Sequence, residues 1–158
     1  MQKALHQLKY RHNVGLGDAL ATQMSTFVRQ LDWPVDIIVA IPLGKKRLKE
    51  RGYNQVAMVA KPLSLQLGIN YRPTALVRAR ETRSQVGLSA TERRQNISNA
   101  FQADKNKVNG QMVLLVDDVS TTGATLSSAA EALYSAGAKE VYAITIARAL
   151  SHHSLKLV

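Results

Sequence analysis

VLLVDDVSTTGAT, residues 113–125, is the stretch on which the reading turns. Its opening residues are wholly apolar, the composition of a strand covered on both faces in a parallel sheet. Asp117 and Asp118 end the run, small hydroxyl residues and Gly123 follow, and a helical pattern begins at Thr125. The start of a helix leaves amides without carbonyl partners and carries the positive end of the macrodipole, so it favours an anion. Gly123 puts no Cβ between backbone and ligand. The hydroxyls of Thr121, Thr122 and Thr125 add donors. Ser120, Thr121, Thr122, Gly123, Ala124 and Thr125 therefore read as a cradle for one phosphate group.

Two acids beside an anion site need donors of their own, because a carboxylate only accepts hydrogen bonds. A sugar diol supplies two hydroxyls, and a divalent cation would also answer the charge. One ligand satisfies both halves: a ribose 5-phosphate unit, its hydroxyls on Asp117 and Asp118 and its phosphate in 120–125. The alternatives are a cap, a surface turn or a magnesium-binding acidic pair. The Walker pattern GxxxxGK is absent, and the dinucleotide fingerprint places its acid about 20 residues after its glycines, not directly before them.

Working outward, VDIIVAI (35–41) and VYAITIA (141–147) are two more short apolar strands. Helices are predicted over 18–31, with Leu16, Leu20, Phe27 and Leu31 on one stripe, over 53–67, and over 125–136. Gly68 and Gly137 are the expected stops, and Pro62 is expected to kink the second helix. A weak strand is predicted at 75–78, and Ser89 with Glu92 has capping-box spacing. Strands alternating with helices imply one α/β domain over 1–158, with a mainly parallel sheet, helices on both faces and an N-terminal helical segment over 1–34. In such sheets ligands bind beyond the carboxyl ends of the strands, where loops 42–51 and 117–125 both fall.

Net charge is +10, from 21 Lys and Arg against 11 Asp and Glu. Much of the excess lies in 45–51 and 72–94, which points to an anionic partner. Lys45, Lys46, Arg47, Lys49 and Arg51 are the candidates for a nucleic-acid backbone, with a solvated basic surface as the plain alternative. There is no cysteine, which excludes disulfides, thiolate metal sites and cysteine nucleophiles and suits a cytoplasmic location. No apolar run reaches the ~20 residues of a membrane span. His6, His12 and the His152–His153 pair have no evident acid–base partner.

The string VLLVDDVSTTGATL (113–126) resembles the phosphoribosyl pyrophosphate (PRPP) motif of type I phosphoribosyltransferases. IPLGKKRLKERGYNQ (41–55) and RARETRSQVGLSATERRQNISNAF (78–101) resemble two segments of the ComF/GntX family. The resemblance implies a type I phosphoribosyltransferase-like α/β fold and binding of PRPP with Mg2+ by ligand-borne rather than protein-only ligation. It places ribose on Asp117 and Asp118 and the 5-phosphate on 120–125. It makes Pro42, Leu43, Gly44, Lys45 and Lys46 the pyrophosphate loop, with an unusual peptide geometry expected at 42–44. It makes 78–96 a mobile cover, with Arg80 joining the two aspartates as a catalytic residue and Lys45, Lys46 and Arg47 steadying the departing diphosphate. Family members carry an N-terminal cysteine zinc ribbon. This sequence contains none, so no zinc is carried over.

The family's link to natural competence implies single-stranded DNA and a competence helicase as partners. Two readings stay open at this level: a phosphoribosyltransferase, or a non-catalytic module that senses PRPP or a nucleotide or grips single-stranded DNA. Aromatic residues make up 5% of the chain, which under-provides base stacking. Tyr53 reads as a packing residue at a helix start. The sequence names neither an acceptor nor an oligomeric state.

Overall fold

The computed structural model describes residues 2–10, 13–79 and 100–148. At its centre β1 (Ile37–Ala40) and β5 (Met112–Ser120) run parallel, in register from Ile37 against Val113 to Ala40 against Val116. β6 (Glu140–Arg148) flanks β5 and β2 (Asn70–Tyr71) flanks β1, giving a four-stranded parallel sheet in the order β2-β1-β5-β6.

Strand side chains alternate between faces, and the apolar runs accordingly feed two cores. Ile38, Ala40, Leu114 and Val116 pack under α1 (Gln2–Tyr10), α2 (Val14–Leu31) and α4 (Ala57–Leu67). Ile37, Val39, Val113 and Leu115 pack under α6 (Ala124–Ser135). They also meet the antiparallel pair β3 (Leu76–Arg78) and β4 (Phe101–Ala103), and Val108 at the end of the short α5 (Lys105–Val108). The expected architecture is therefore the observed one: a parallel sheet with helices on both faces.

Several details differ from expectation. Residues 45–51, read as part of a loop, form α3 (Lys45–Arg51), closed by Gly52 at φ 79° with its amide on the Leu48 carbonyl. The helix expected from residue 53 starts at Ala57, because residues 53–56 form a turn in which the Asn54 side chain accepts from the Val56 amide and donates to the Ile41 carbonyl. The weak strand at 75–78 lies outside the main sheet. Among the described residues there is no cis peptide, and Gly44 has ordinary extended backbone (φ −64°, ψ 151°), so 42–44 hold no special geometry. Phe27 is half exposed, while Leu20, Ala21, Met24 and Val28 face the core.

The reason for the shifted stripe is the close seating of α2 on α4. A Cβ on Gly17 would lie 2.6 Å from the Met58 carbonyl oxygen. That carbonyl would normally take the amide of residue 62, but Pro62 has none. α4 runs unbroken from Ala57 to Leu67 through Pro62. Gly17, Ala21 and Ser25, small and one helical turn apart, are buried, and this turns Phe27 outward.

Candidate functional site

β1 stops pairing with β5 at Val116, while β5 continues beside β6 as far as Ser120 opposite Arg148. Asp117 to Ser120 thus project past the end of β1, at the crevice that open parallel sheets use for ligands. Because residues in a strand alternate, Asp117 and Asp118 leave β5 on opposite faces.

Asp117 shares the face of Leu115 and lines a concavity with Val119, Ser120, Thr121, Thr122, Gly123, Ala124, Thr125 and Leu126. It is 6% exposed, and one of its oxygens accepts the Asp118 amide at 2.8 Å. Burial, and then repulsion from Asp118, push its pKa up from the ordinary 3.8 to about 7. The loop it faces ends on Gly123, whose φ of 78° is the left-handed conformation that glycine adopts without strain. The Thr122 hydroxyl accepts from the Ala124 amide at 3.4 Å, and α6 begins there. A Cβ at Gly123 would meet nothing within 4 Å, so the backbone angle, not crowding by protein, demands the glycine. The concavity is tight, about 20 Å3, roughly room for one water.

Asp118 shares the face of Val116. Its Oδ2 accepts from Lys9 Nζ at 2.7 Å and from Gln55 Nε2 at 3.0 Å, and its Oδ1 accepts the Val119 amide at 2.8 Å. Burial by itself would raise its pKa, yet the hydrogen bond and charge of Lys9, then Gln55 and the Val119 amide, bring it below the ordinary value. Gln55 is itself held by the Arg51 guanidinium. Arg51 lies 5.5 Å from the centre of the Tyr10 ring, and the Tyr53 hydroxyl donates to the Leu8 carbonyl at 2.7 Å. Tyr53, half-buried, thus ties the turn at 53–56 to the end of α1.

Of the expected pyrophosphate loop, Pro42 and Leu43 are half-buried, Gly44 is buried, and Lys45 and Lys46 stand exposed on the first turn of α3. Arg47 and Lys49 are exposed on the same helix, and Arg51 turns toward Gln55. A hollow of about 290 Å3 lies between Lys9, Tyr10, Arg47, Glu50, Arg51 and Tyr53. A roomier one of about 620 Å3, between β4 and α6, shares no residue with either site. Arg80, the Ser89–Glu92 capping box, His12, His152 and His153 lie outside the described residues, as does all but the first two positions of the expected cover at 78–96.

The structure thus brings Asp117 together with 119–126, and sets Asp118 among Lys9, Gln55 and Val119. Lys9 and Gln55 were not singled out from the sequence. Gln55 closes the recognised 41–55 segment but was given no role there, while Lys9 follows no motif, and only the fold carries α1 across to β5.

Residues 55–156 match the model of the phosphoribosyl transferase domain. The DNA utilization protein YhgH of Escherichia coli K12 is 35% identical over 152 residues, covering 92% of this chain and 66% of its own length. Competence protein F of Haemophilus influenzae is also 35% identical, over 153 residues and the same shares. Competence protein ComFC of Bacillus subtilis is 32% identical, covering 94% of this chain and 60% of its own length. The chain accordingly spans no more than about two thirds of the curated relatives it matches. Among solved structures, an adenine phosphoribosyltransferase superposes with a TM-score of 0.59 at 20% identity, over 87% of this chain and 72% of that one. The glutamine PRPP amidotransferase of B. subtilis superposes at 0.57 and 21%, over 83% and 26%. The parallel sheet, the acidic end of its central strand and these matches agree: the chain belongs to the phosphoribosyl transferase domain family, in the ComF branch of competence and DNA-utilization proteins.

Proposed function

We propose that this site binds PRPP with Mg2+, and that the chain acts as a phosphoribosyltransferase in the handling of DNA by ComF-type proteins. The observation that carries the reading is the concavity in which buried Asp117 and the 119–126 backbone meet at the carboxyl end of β5. The ribose diol straddles the strand end, one hydroxyl toward Asp117 and one toward Asp118. The 5-phosphate enters 120–125, where the first-turn amides of α6 and the helix dipole favour it. The diphosphate lies along 42–46 under Lys45, Lys46 and Arg47, with Arg80 assigned by resemblance.

In the transfer, a nitrogen nucleophile forms a bond to C1 of the ribose. The bond from C1 to the diphosphate oxygen breaks, and its electron pair leaves with the diphosphate. Charge builds on the ribose ring and on the leaving group, so the protein's work is positioning and charge stabilisation. Among the described residues no group of three or more His, Cys, Asp or Glu could hold a metal ion. The Mg2+ of this reading would come with PRPP rather than rest on protein ligands alone. Its chemistry there is neutralisation of the leaving group's charge.

The proposed location is the cytoplasm, and the proposed partners include single-stranded DNA and a competence helicase. No helix among the described residues is long and apolar enough to cross a membrane. A second reading, a non-catalytic module for PRPP or nucleic acid, draws on the exposed cations of α3.

PRPP with Mg2+ is expected to raise the melting temperature of the chain, since a ligand at a hundred times its Kd adds about 2.7 kcal/mol. Asp117→Ala is expected to abolish that shift. A shift that survived it would overturn the site. Pyrophosphate released from PRPP in the presence of a nucleobase favours the transferase, and its absence with every base favours the module.

A further inference from the structure

Lys9 belongs to a helix with no recognisable motif, yet among the described residues its ammonium is the cation within ion-pair distance of Asp118. A carboxylate offers about four acceptor positions. Asp118 uses two on Oδ2, for Lys9 and Gln55, and one on Oδ1, for the Val119 amide. The remaining position is therefore on Oδ1. Gln55 is neutral and can orient the group without answering its charge. A carboxylate taken out of water is costly unless a cation answers it, and that duty falls to Lys9.

The end of α1 is held for the purpose. Leu8, fully buried in the core, precedes Lys9 directly, and the Tyr53 hydroxyl grips the Leu8 carbonyl at 2.7 Å. Lys9 thus has a fixed origin and a short reach. Among the described residues the charged groups around Asp118 are Lys9 on α1, Asp117 on β5 and, through Gln55, Arg51 on α3.

The geometry points to Lys9 as a positioning residue of the site: it pins Oδ2 of Asp118 and leaves Oδ1 as the oxygen that meets a ligand hydroxyl. This rests on the reading above that Asp118 faces the ribose. α1 is then part of the binding machinery, although it touches no ligand.

The test uses the full chain with Lys9→Met, which keeps the aliphatic stem, and Lys9→Arg, which keeps the charge. The first measurement is the NMR titration of the Asp118 carboxyl carbon in the ligand-free protein. The second is the Kd for PRPP with Mg2+. In Lys9→Met, Asp118 is expected to titrate at higher pH than in the unaltered chain, and PRPP affinity to fall about tenfold. Lys9→Arg is expected to restore most of both. An unmoved titration in Lys9→Met overturns the proposal, even if the melting temperature drops, because it leaves Lys9 as a mere tether of α1. An affinity loss that Lys9→Arg does not recover also overturns it. If the unaltered chain binds no PRPP, the ligand reading fails, and the titration alone decides whether Lys9 governs Asp118.

Discussion

On the α6 side of β5, Asp117 is buried beside a loop of hydroxyls, answered by a backbone amide and pushed up to about 7. On the α1 side, one residue later, Asp118 meets an ammonium, a side-chain amide and a backbone amide, and its pKa falls. Identical side chains at adjacent positions are thus driven apart by what the two faces of the sheet supply. The Asp117 side offers an open concavity, whereas Asp118 is held in place by protein donors that leave one acceptor position on Oδ1.

The sharpest way to break this contrast is Asp117→Asn. The native pKa of about 7 exceeds the ordinary 3.8, so between those values the folded state keeps a proton that the unfolded chain has lost. Stability is therefore given up as pH rises through that window, and the cost is complete above it. Asp117→Asn is expected to stabilise the ligand-free protein by on the order of 4 kcal/mol at pH 8 and by almost nothing at pH 4. Urea denaturation at both pH values measures this, and no difference between them would erase the contrast.

Asp118→Asn works in the opposite sense. It leaves the Lys9 ammonium without its counter-charge, an expected loss of about 2–3 kcal/mol at pH 7. Because the native pKa of Asp118 is lowered, its contribution is present above the ordinary carboxylate range and lost as pH falls through the native value. The deficit of the variant should therefore shrink in acid, again by urea denaturation. The smallest effect concerns the loop itself. Gly123→Ala imposes a Cβ on a residue at φ 78° with no neighbour within 4 Å, so only the backbone penalty of about 1–2 kcal/mol is expected. A much larger loss would mean that the loop is packed more tightly than its open surroundings indicate.

The same two sides differ in how far they could be read from the sequence. The cradle side is local: strand, acids, hydroxyls, glycine and helix follow one another in a single stretch, so its elements and their order were legible. The support side is assembled from α1, α3 and the turn at 53–56, which are distant in the chain. α3 escaped notice because KKRLKER has one apolar residue, the exposed Leu48, and no stripe to detect. β2 and β4, of two and three residues, are too short to show alternation. Phe27 was misassigned because periodicity finds an apolar stripe without knowing how closely the neighbouring helix sits. The split of Asp117 from Asp118 follows from pleating alone, but only once β5 is known to continue through both.

The meeting of Gly17 with the Met58 carbonyl joins two positions that share no segment. Pro62 strips that oxygen of its usual amide, and the bare backbone at residue 17 rests against it. A larger side chain at 17 would wedge the two helices apart, and α4 would carry the turn bearing Asn54 and Gln55 with it. The constraint runs one way: a side chain at Gly17 is felt at α4, while replacing Pro62 only returns an amide to the Met58 carbonyl.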